Sequence, residues 1–344
     1  MQYRKLGWTD VNISAIALGT MTFGEQNTET EAHRQLDMAF EHGVNFIDVA
    51  EMYPVPPRAE TQGLTETFVG HWLSRQARDR VFLATKVTGP SRGFDWIRGG
   101  PRLSVGHMRE ALEGSLRRLN TDYIDLYQIH WPDRYVPMFG ESAFDAKRLH
   151  ECTPVLQQLE VLDEFVQSGK VRYVGLSNET AWGVNEFVRQ AEKHGLPRIA
   201  SIQNAYNLLN RSFESTLAET CHYLNVPLLA YSPLAFSWLS GKSFDKNSNG
   251  GRLKLYPNFG RRYAKTNVPE ATAEYLRIAC EAGLDPSQMA IAYVLEQGFV
   301  GSVIIGATSL TQLKSNLDAL DVQIPNHVRG KIDLVHRRYP DPAP

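Results

Sequence analysis

The chain has 344 residues, room for one large domain or two smaller ones. Its 36 Lys and Arg against 38 Asp and Glu leave a net charge of −2 with no dense basic run, which argues against a nucleic-acid partner. Three scattered cysteines (Cys152, Cys221 and Cys280), an opening MQYRKLGWTD without a signal-peptide core, and no apolar run near the roughly 20 residues of a membrane span lead to the expectation of a cytoplasmic protein with no membrane association.

In chain order, Met1–Ser14 reads as a short hairpin placed to plug the bottom of a barrel built by the rest of the chain. Eight apolar runs then read as buried parallel strands: Ile16–Leu18, Phe46–Val49, Val81–Ala84, Ile124–Ile129, Tyr173–Leu176, Ser201–Gln203, Leu228–Tyr231 and Val303–Ile305. Helical periodicity separates them. Thr30 can cap a helix running through His33, Leu36 and Phe40, and further helices span Met108–Leu119, Leu156–Gln167, Thr180–His194 and Phe213–Leu224. Gly43, Gly169 and Gly195 stand where helices should stop. Strands alternating with helices, without a linker-like break, predict a single α/β domain over 1–344, a (β/α)8 TIM barrel. A doubly wound nucleotide-binding sheet would carry G-x-G-x-x-G after its first strand, and LGTMTFGE stands there instead.

Barrels place their chemistry on the loops after the strands. Three predicted strands stop at ionisable groups: Asp48 and Tyr53 in NFIDVAEMY, Lys86 in VFLATK, His130 in YIDLYQIHW. A phenol that gives up a proton, a cation that acidifies it, a carboxylate that holds the cation and an imidazole that orients the incoming group make a coherent set. Free tyrosine titrates near ~10, so a proton-donating Tyr53 needs such help at neutral pH. Ser177, Asn178, Gln203 and Tyr231 also lie just after strands. Four long connections stand out: Tyr53–Leu64, Val87–Gly106, Pro132–Pro154 and Ser237–Tyr263. The aromatics Phe94, Trp96, Trp131 and those between Pro132 and Pro154 suggest an apolar, open substrate pocket with Trp96 and Trp131 in its wall. The fourth connection holds Lys242, Arg252, Lys254, Arg261 and Arg262. No HxH stands after the first strand, so no metal is expected.

The ordered series LGTMTFGE, NFIDVAEMY, ATKV, DLYQIHWP, GLSNE, IQNAYNLLNR, LLAYSPL and IIGATSLTQLKSN resembles the aldo-keto reductases over nearly the whole chain. The loop AEMYPVPPRAETQGLTE is similar to that of their bacterial Tas-type, NADP(H)-dependent branch. The resemblance implies reduction of aldehydes and ketones by hydride from NADPH, with Tyr53 as general acid, Lys86 lowering its pKa, Asp48 holding Lys86, and His130 orienting the substrate carbonyl. It implies that Ser177, Asn178 and Gln203 bind the nicotinamide carboxamide and that Tyr231 stacks under the ring. The pyrophosphate would lie near Ser232, Pro233, Leu234, Gly241 and Lys242, and the adenosine end near Gly306, Thr308, Gln312 and Asn316. Many members carry a Lys and an Arg around Gly306 and Gln312, positions uncharged here. The branch related to potassium-channel β-subunits instead places an Arg after the seventh strand, which maps to Arg252, with Lys242, Arg261 and Arg262 beside it. NADP(H) is therefore the expected cofactor and a small carbonyl compound the expected partner. The same branch supplies a second reading, an NADP-sensing regulatory subunit with slow turnover.

Overall fold

The first residues form two short antiparallel strands, β1 (Tyr3–Lys5) and β2 (Asn12–Ser14), as their turn residues Gly7, Thr9 and Asp10 suggest. Gly7 has φ +55, and a Cβ there would stand 2.5 Å from the carbonyl oxygen of Asn225, so only glycine lets the turn lie on the barrel floor. The computed structural model describes residues 1–244, 252–256 and 260–344, with the backbone alone at 252 and 253.

The barrel itself has eight parallel strands: β3 (Ile16–Gly19), β4 (Phe46–Asp48), β5 (Phe82–Val87), β6 (Ile124–Ile129), β7 (Val171–Ser177), β8 (Ile199–Ala205), β9 (Leu228–Tyr231) and β10 (Val300–Ile305). They pair in sequence order, and β10 closes on β3 through Ile304↔Ala17, completing a (β/α)8 barrel. Every residue of β5, β6 and β10 is buried, which is why these strands read as unbroken apolar runs. Hydropathy ends the third barrel strand at Ala84, whereas β5 continues to Val87. The ladder with β6 includes Lys86↔Gln128, so two polar residues sit inside the sheet where an apolar run alone would stop it.

The helices α1 (Glu29–Glu41), α2 (Leu64–Leu73), α3 (Val105–Leu119), α4 (Val155–Gln167), α5 (Ala181–His194) and α6 (Phe213–Leu224) follow in chain order on the outer face; the one-turn α7 (Arg252–Leu255) lies in the loop after β9, and α8 (Asn267–Glu281), α9 (Pro286–Leu295), α10 (Leu310–Asp318) and α11 (Asn326–Arg338) complete the series. Thr28, not Thr30, caps α1, because Glu31 is three residues downstream and completes a capping box with it. Helix α2 carries no amphipathic signal: Thr65, Glu66, Val69, Gly70, Trp72 and Leu73 are all buried. It starts at Gly63, which offers no side-chain cap. No helix among the described residues is long and apolar enough to cross a membrane.

The main core fills the layer between barrel and helices. A second cluster lies inside the barrel, where Leu6 and Ile13 of the hairpin meet Ala17, Phe46, Phe82, Leu126, Ala200 and Leu229. Trp8 Nε1 donates to the carbonyl of Ile199 (2.9 Å) and Arg4 to that of Val300 (2.7 Å), both at strand N-termini. The hairpin thus plugs the bottom, and the opposite mouth is left for the site.

Candidate active site

The C-terminal ends of β4, β5 and β6 lie side by side, so their last side chains converge. Lys86, fully buried, donates through Nζ to Asp48 Oδ2 (2.7 Å) and to the carbonyl of Val49 (2.7 Å). Asp48 Oδ1 accepts from Gln203 Nε2 (2.8 Å) and Gln128 Nε2 (3.3 Å), so both carboxylate oxygens are engaged. A buried ion pair is tolerable only with its remaining polar groups satisfied, and these amides do that. Burial lowers the lysine from its ordinary range, and Asp48 pulls against that shift.

The Lys86 ammonium stands 4.9 Å from the centroid of the Tyr53 ring. Tyr53 is held by its backbone, its N–H donating to Ala50 and its carbonyl accepting from Gly63. His130 meets Tyr53 edge-on, ring centroids 5.7 Å apart. Burial, and then the positive charge of Lys86, hold the His130 imidazole well below its usual pKa, so it is neutral at pH 7. Its Nδ1 is buried with no hydrogen-bond partner among the described residues.

Asp48, Tyr53 and His130 line one cleft of about 1100 Å3, with Lys86 directly behind them. That volume lies just above the roughly 300–1,000 Å3 typical for one drug-sized ligand, so the cleft exceeds what a small aldehyde needs. The same cleft takes in Ser177, Asn178, Gln203, Tyr231, Ser232, Pro233, Leu234, Lys242, Gly306, Thr308, Gln312, Asn316 and Trp131. Asn178, at φ 53 in the left-handed region that asparagine tolerates, donates to the carbonyl of His130 (2.9 Å) and accepts from the Tyr231 hydroxyl (2.7 Å). Gln203 uses its amide NH2 on Asp48 and Gln128, which leaves only its carbonyl end for a ligand. Helix α10 opens behind Ser309 with Thr311 and Gln312 facing the cleft, an N-terminus of the kind that suits phosphate.

Three expected residues do not join this set. Trp96 is 41 % exposed and reaches the cleft only through Phe94, whose ring it meets edge-on at 5.8 Å. Gly241 lies outside the lining: at φ 77 it ends the turn formed by Ala235–Ser240, with Leu276 the nearest side chain to where its Cβ would be. The side chain of Arg252 lies outside the described residues, its backbone forming the first turn position of α7.

Other residues carry no signal in the sequence. Gln128 is the penultimate residue of β6 and looks like an interruption of an apolar run, yet it steadies Asp48. Glu51, 1 % exposed, holds Arg98 bidentately (2.6 and 2.8 Å) and accepts from the backbone N–H of Thr88 (2.6 Å). This pair ties the loop after β5 to the loop that carries Tyr53, with Ile97, Met52 and Trp131 packed around it. Gly89 lies so close to Trp131 that any side chain would displace the indole. Arg134 and Glu179 link the loops after β6 and β7 in the same way. Asp285 also reaches the cleft, an acid outside the segment 306–316, but it already caps α9 by accepting from the N–H of Gln288 (2.9 Å). Long-range pairs of this kind leave no local pattern to read.

The family model described as the Aldo/keto reductase family matches residues 15–336. Protein tas of Escherichia coli (strain K12) is 49 % identical over 347 aligned residues covering 100 % of both chains. A protein of Babesia bovis named aldo-keto reductase is 37 % identical over 76 % of this chain and 98 % of its own. L-glyceraldehyde 3-phosphate reductase of Escherichia coli (strain K12) is 29 % identical over 97 % of this chain and 94 % of its own. With a closed barrel and a cleft of ionisable groups at its C-terminal mouth, the match over nearly its full length means that this chain belongs to the aldo/keto reductase family and is an oxidoreductase.

Proposed function

We propose that this protein reduces aldehydes and ketones to alcohols with NADPH, using Tyr53 as the proton donor. The observation that carries the reading is the fully buried Lys86 ammonium, pinned by Asp48 and 4.9 Å from the Tyr53 ring. A buried cation beside a phenol has little structural use. It stabilises the negative charge that develops on the phenol oxygen as the proton leaves. Neutral His130 can hydrogen-bond a carbonyl oxygen without competing for the proton. A well-placed general acid of this kind contributes roughly 10²–10⁴-fold.

When bound, the nicotinamide supplies the hydride. Ser177, Asn178 and Gln203 would hold its carboxamide and Tyr231 its ring face. Ser232, Pro233, Leu234 and Lys242 would border the pyrophosphate, and Gly306, Thr308, Gln312 and Asn316 the adenosine end. The volume of the cleft and its mix of polar and apolar walls fit a dinucleotide. The preference for NADP(H) rests on Lys242 and Arg261 in the lining, with Arg252 nearby in sequence, and on Asp285 being committed to α9.

Fluorescence titration tests the cofactor. Wild type should bind NADPH more tightly than NADH. A hydrogen bond to a charged group is worth roughly 1.5–3 kcal/mol, so losing the phosphate ligand should weaken NADPH binding about 10- to 150-fold. Among Arg252→Ala, Lys242→Ala and Arg261→Ala, the variant with that loss and little change for NADH identifies the ligand. Tighter binding of NADH to wild type would overturn the NADP assignment.

A further inference from the structure

The cleft holds more positive charge than carbonyl reduction uses. Arg262 is 8 % exposed and lines the cleft. Among the described residues no carboxylate pairs with it, and the side chain that acts on it most is Tyr231, whose hydroxyl lies beside it. Burying an unpaired cation is costly. The position is informative, because the same hydroxyl bonds Asn178, which in turn bonds the carbonyl of His130. Arg262 therefore stands at the His130 side of the cleft, where substrate would lie, and not at the adenosine end beside Gly306.

A second guanidinium lies against the same ring. The Arg262 guanidinium carbon is 5.6 Å from the centroid of Phe139, and that of Arg92 is 5.0 Å from it. Both arginines and Phe139 line the cleft. Among the described residues the one acid acting on Arg92 is Glu141, which Arg148 already pairs at 2.7 Å. Arg98, by contrast, is spent on Glu51. Phe139 is 6.5 Å from Trp131, which stands 4.8 Å from His130, so this pair of cations lies two rings from the proposed acid-base groups. Three loops, after β5, β6 and β9, meet here.

We propose that Arg262 and Arg92 form an anion subsite beside the reacting carbonyl, so that the preferred substrates are carbonyl compounds bearing a carboxylate or a phosphate. The proposal rests on the carbonyl-reductase reading. A guanidinium fork matches a compact oxyanion in shape and charge. The apolar pocket expected from the aromatics is thereby revised: Phe94, Trp131 and Phe139 form its walls, and the two arginines its address.

The test compares 4-carboxybenzaldehyde with 4-methylbenzaldehyde, similar in shape and different in charge, by kcat/KM with saturating NADPH. Wild type should favour the acid about 10- to 150-fold, and a third probe, 4-formylphenyl phosphate, ranks phosphate against carboxylate. Arg92→Met and Arg262→Met should each cut the acid-to-methyl ratio at least about fivefold, mostly through KM. Arg92 sits on an exposed loop, so its variant keeps the test open should Arg262→Met fold poorly. A wild-type ratio near one overturns the subsite. So does an Arg262→Met protein that slows both aldehydes equally and loses NADPH affinity, which would hand that cation to the cofactor. If neither aldehyde is reduced, the reductase reading fails. The subsite is then read by tryptophan fluorescence with 4-carboxybenzyl alcohol and 4-methylbenzyl alcohol, where tighter binding of the acid supports it and equal binding overturns it.

Discussion

The two mouths of the barrel are built from the same eight strands and do opposite things. At the N-terminal mouth Leu6, Ile13, Phe46, Phe82 and Leu126 pack with no buried charge among them. At the C-terminal mouth Asp48, Lys86, Gln128 and Gln203 are each 3 % exposed or less. Apolar burial is stabilising, whereas a buried ion pair roughly breaks even at best. The bottom holds the barrel closed, and the top accepts an electrostatic cost to keep a cation fixed beside Tyr53. Stability and chemistry should therefore respond separately to substitutions at the two ends.

The largest effect should come from the top. Lys86→Met should lower kcat for a simple aldehyde by about 100-fold or more, because it removes the charge beside the phenol. It also leaves Asp48 buried without its partner, so denaturant melts should show a loss of about 3–5 kcal/mol. A double variant, Asp48→Leu with Lys86→Met, should recover most of that stability and none of the activity. Recovery of both would dissolve the contrast between the two ends.

At the bottom, Leu6→Ala should cost about 2–5 kcal/mol in the same melts, the usual range for a cavity in a packed core. Leu6 is not part of the cleft lining and sits at the opposite mouth, so kcat should stay near wild type at temperatures where the variant is folded. A comparable loss of kcat would mean that the hairpin transmits strain to the top.

The smallest effect is a change that should not occur. His130 is held below the usual imidazole range by burial and by Lys86. Its folded pKa is depressed, so it stays neutral as the pH falls through ~6.5 and takes up a proton only further down. The pH profile of kcat/KM for reduction should therefore be flat between about 6 and 7.5. An acid limb with its midpoint near 6.5 would show that His130 titrates normally and that the site is wetter than its burial indicates.

The barrel is legible in sequence because buried parallel strands are unbroken apolar runs and amphipathic helices separate them. Capping by Thr28 is not, because Thr30 is an equally good cap by type, and only the reach of Glu31 decides between them. Helix α2 is hidden too, since a helix buried nearly all round has no periodicity to read. In the cleft, residues at strand ends stand out because a charge interrupts an apolar run, as at Lys86. Gln128, Glu51 with Arg98, and Arg134 with Glu179 give no such signal, since each acts through a partner more than 40 residues away. Trp96 reads as a wall residue on its aromaticity, which does not tell a ring that lines a cleft from one that props its neighbour.

The central claim is that Tyr53 donates the proton and that Lys86 exists to serve it. Single-turnover stopped-flow, following NADPH absorbance with benzaldehyde, tests this directly on wild type and Tyr53→Phe. The account predicts at least a roughly 10²-fold slower hydride-transfer step in the variant, with the NADPH dissociation constant within about twofold of wild type. A Tyr53→Phe protein that transfers hydride at near the wild-type rate would contradict it and leave the buried Lys86–Asp48 pair without the role assigned here.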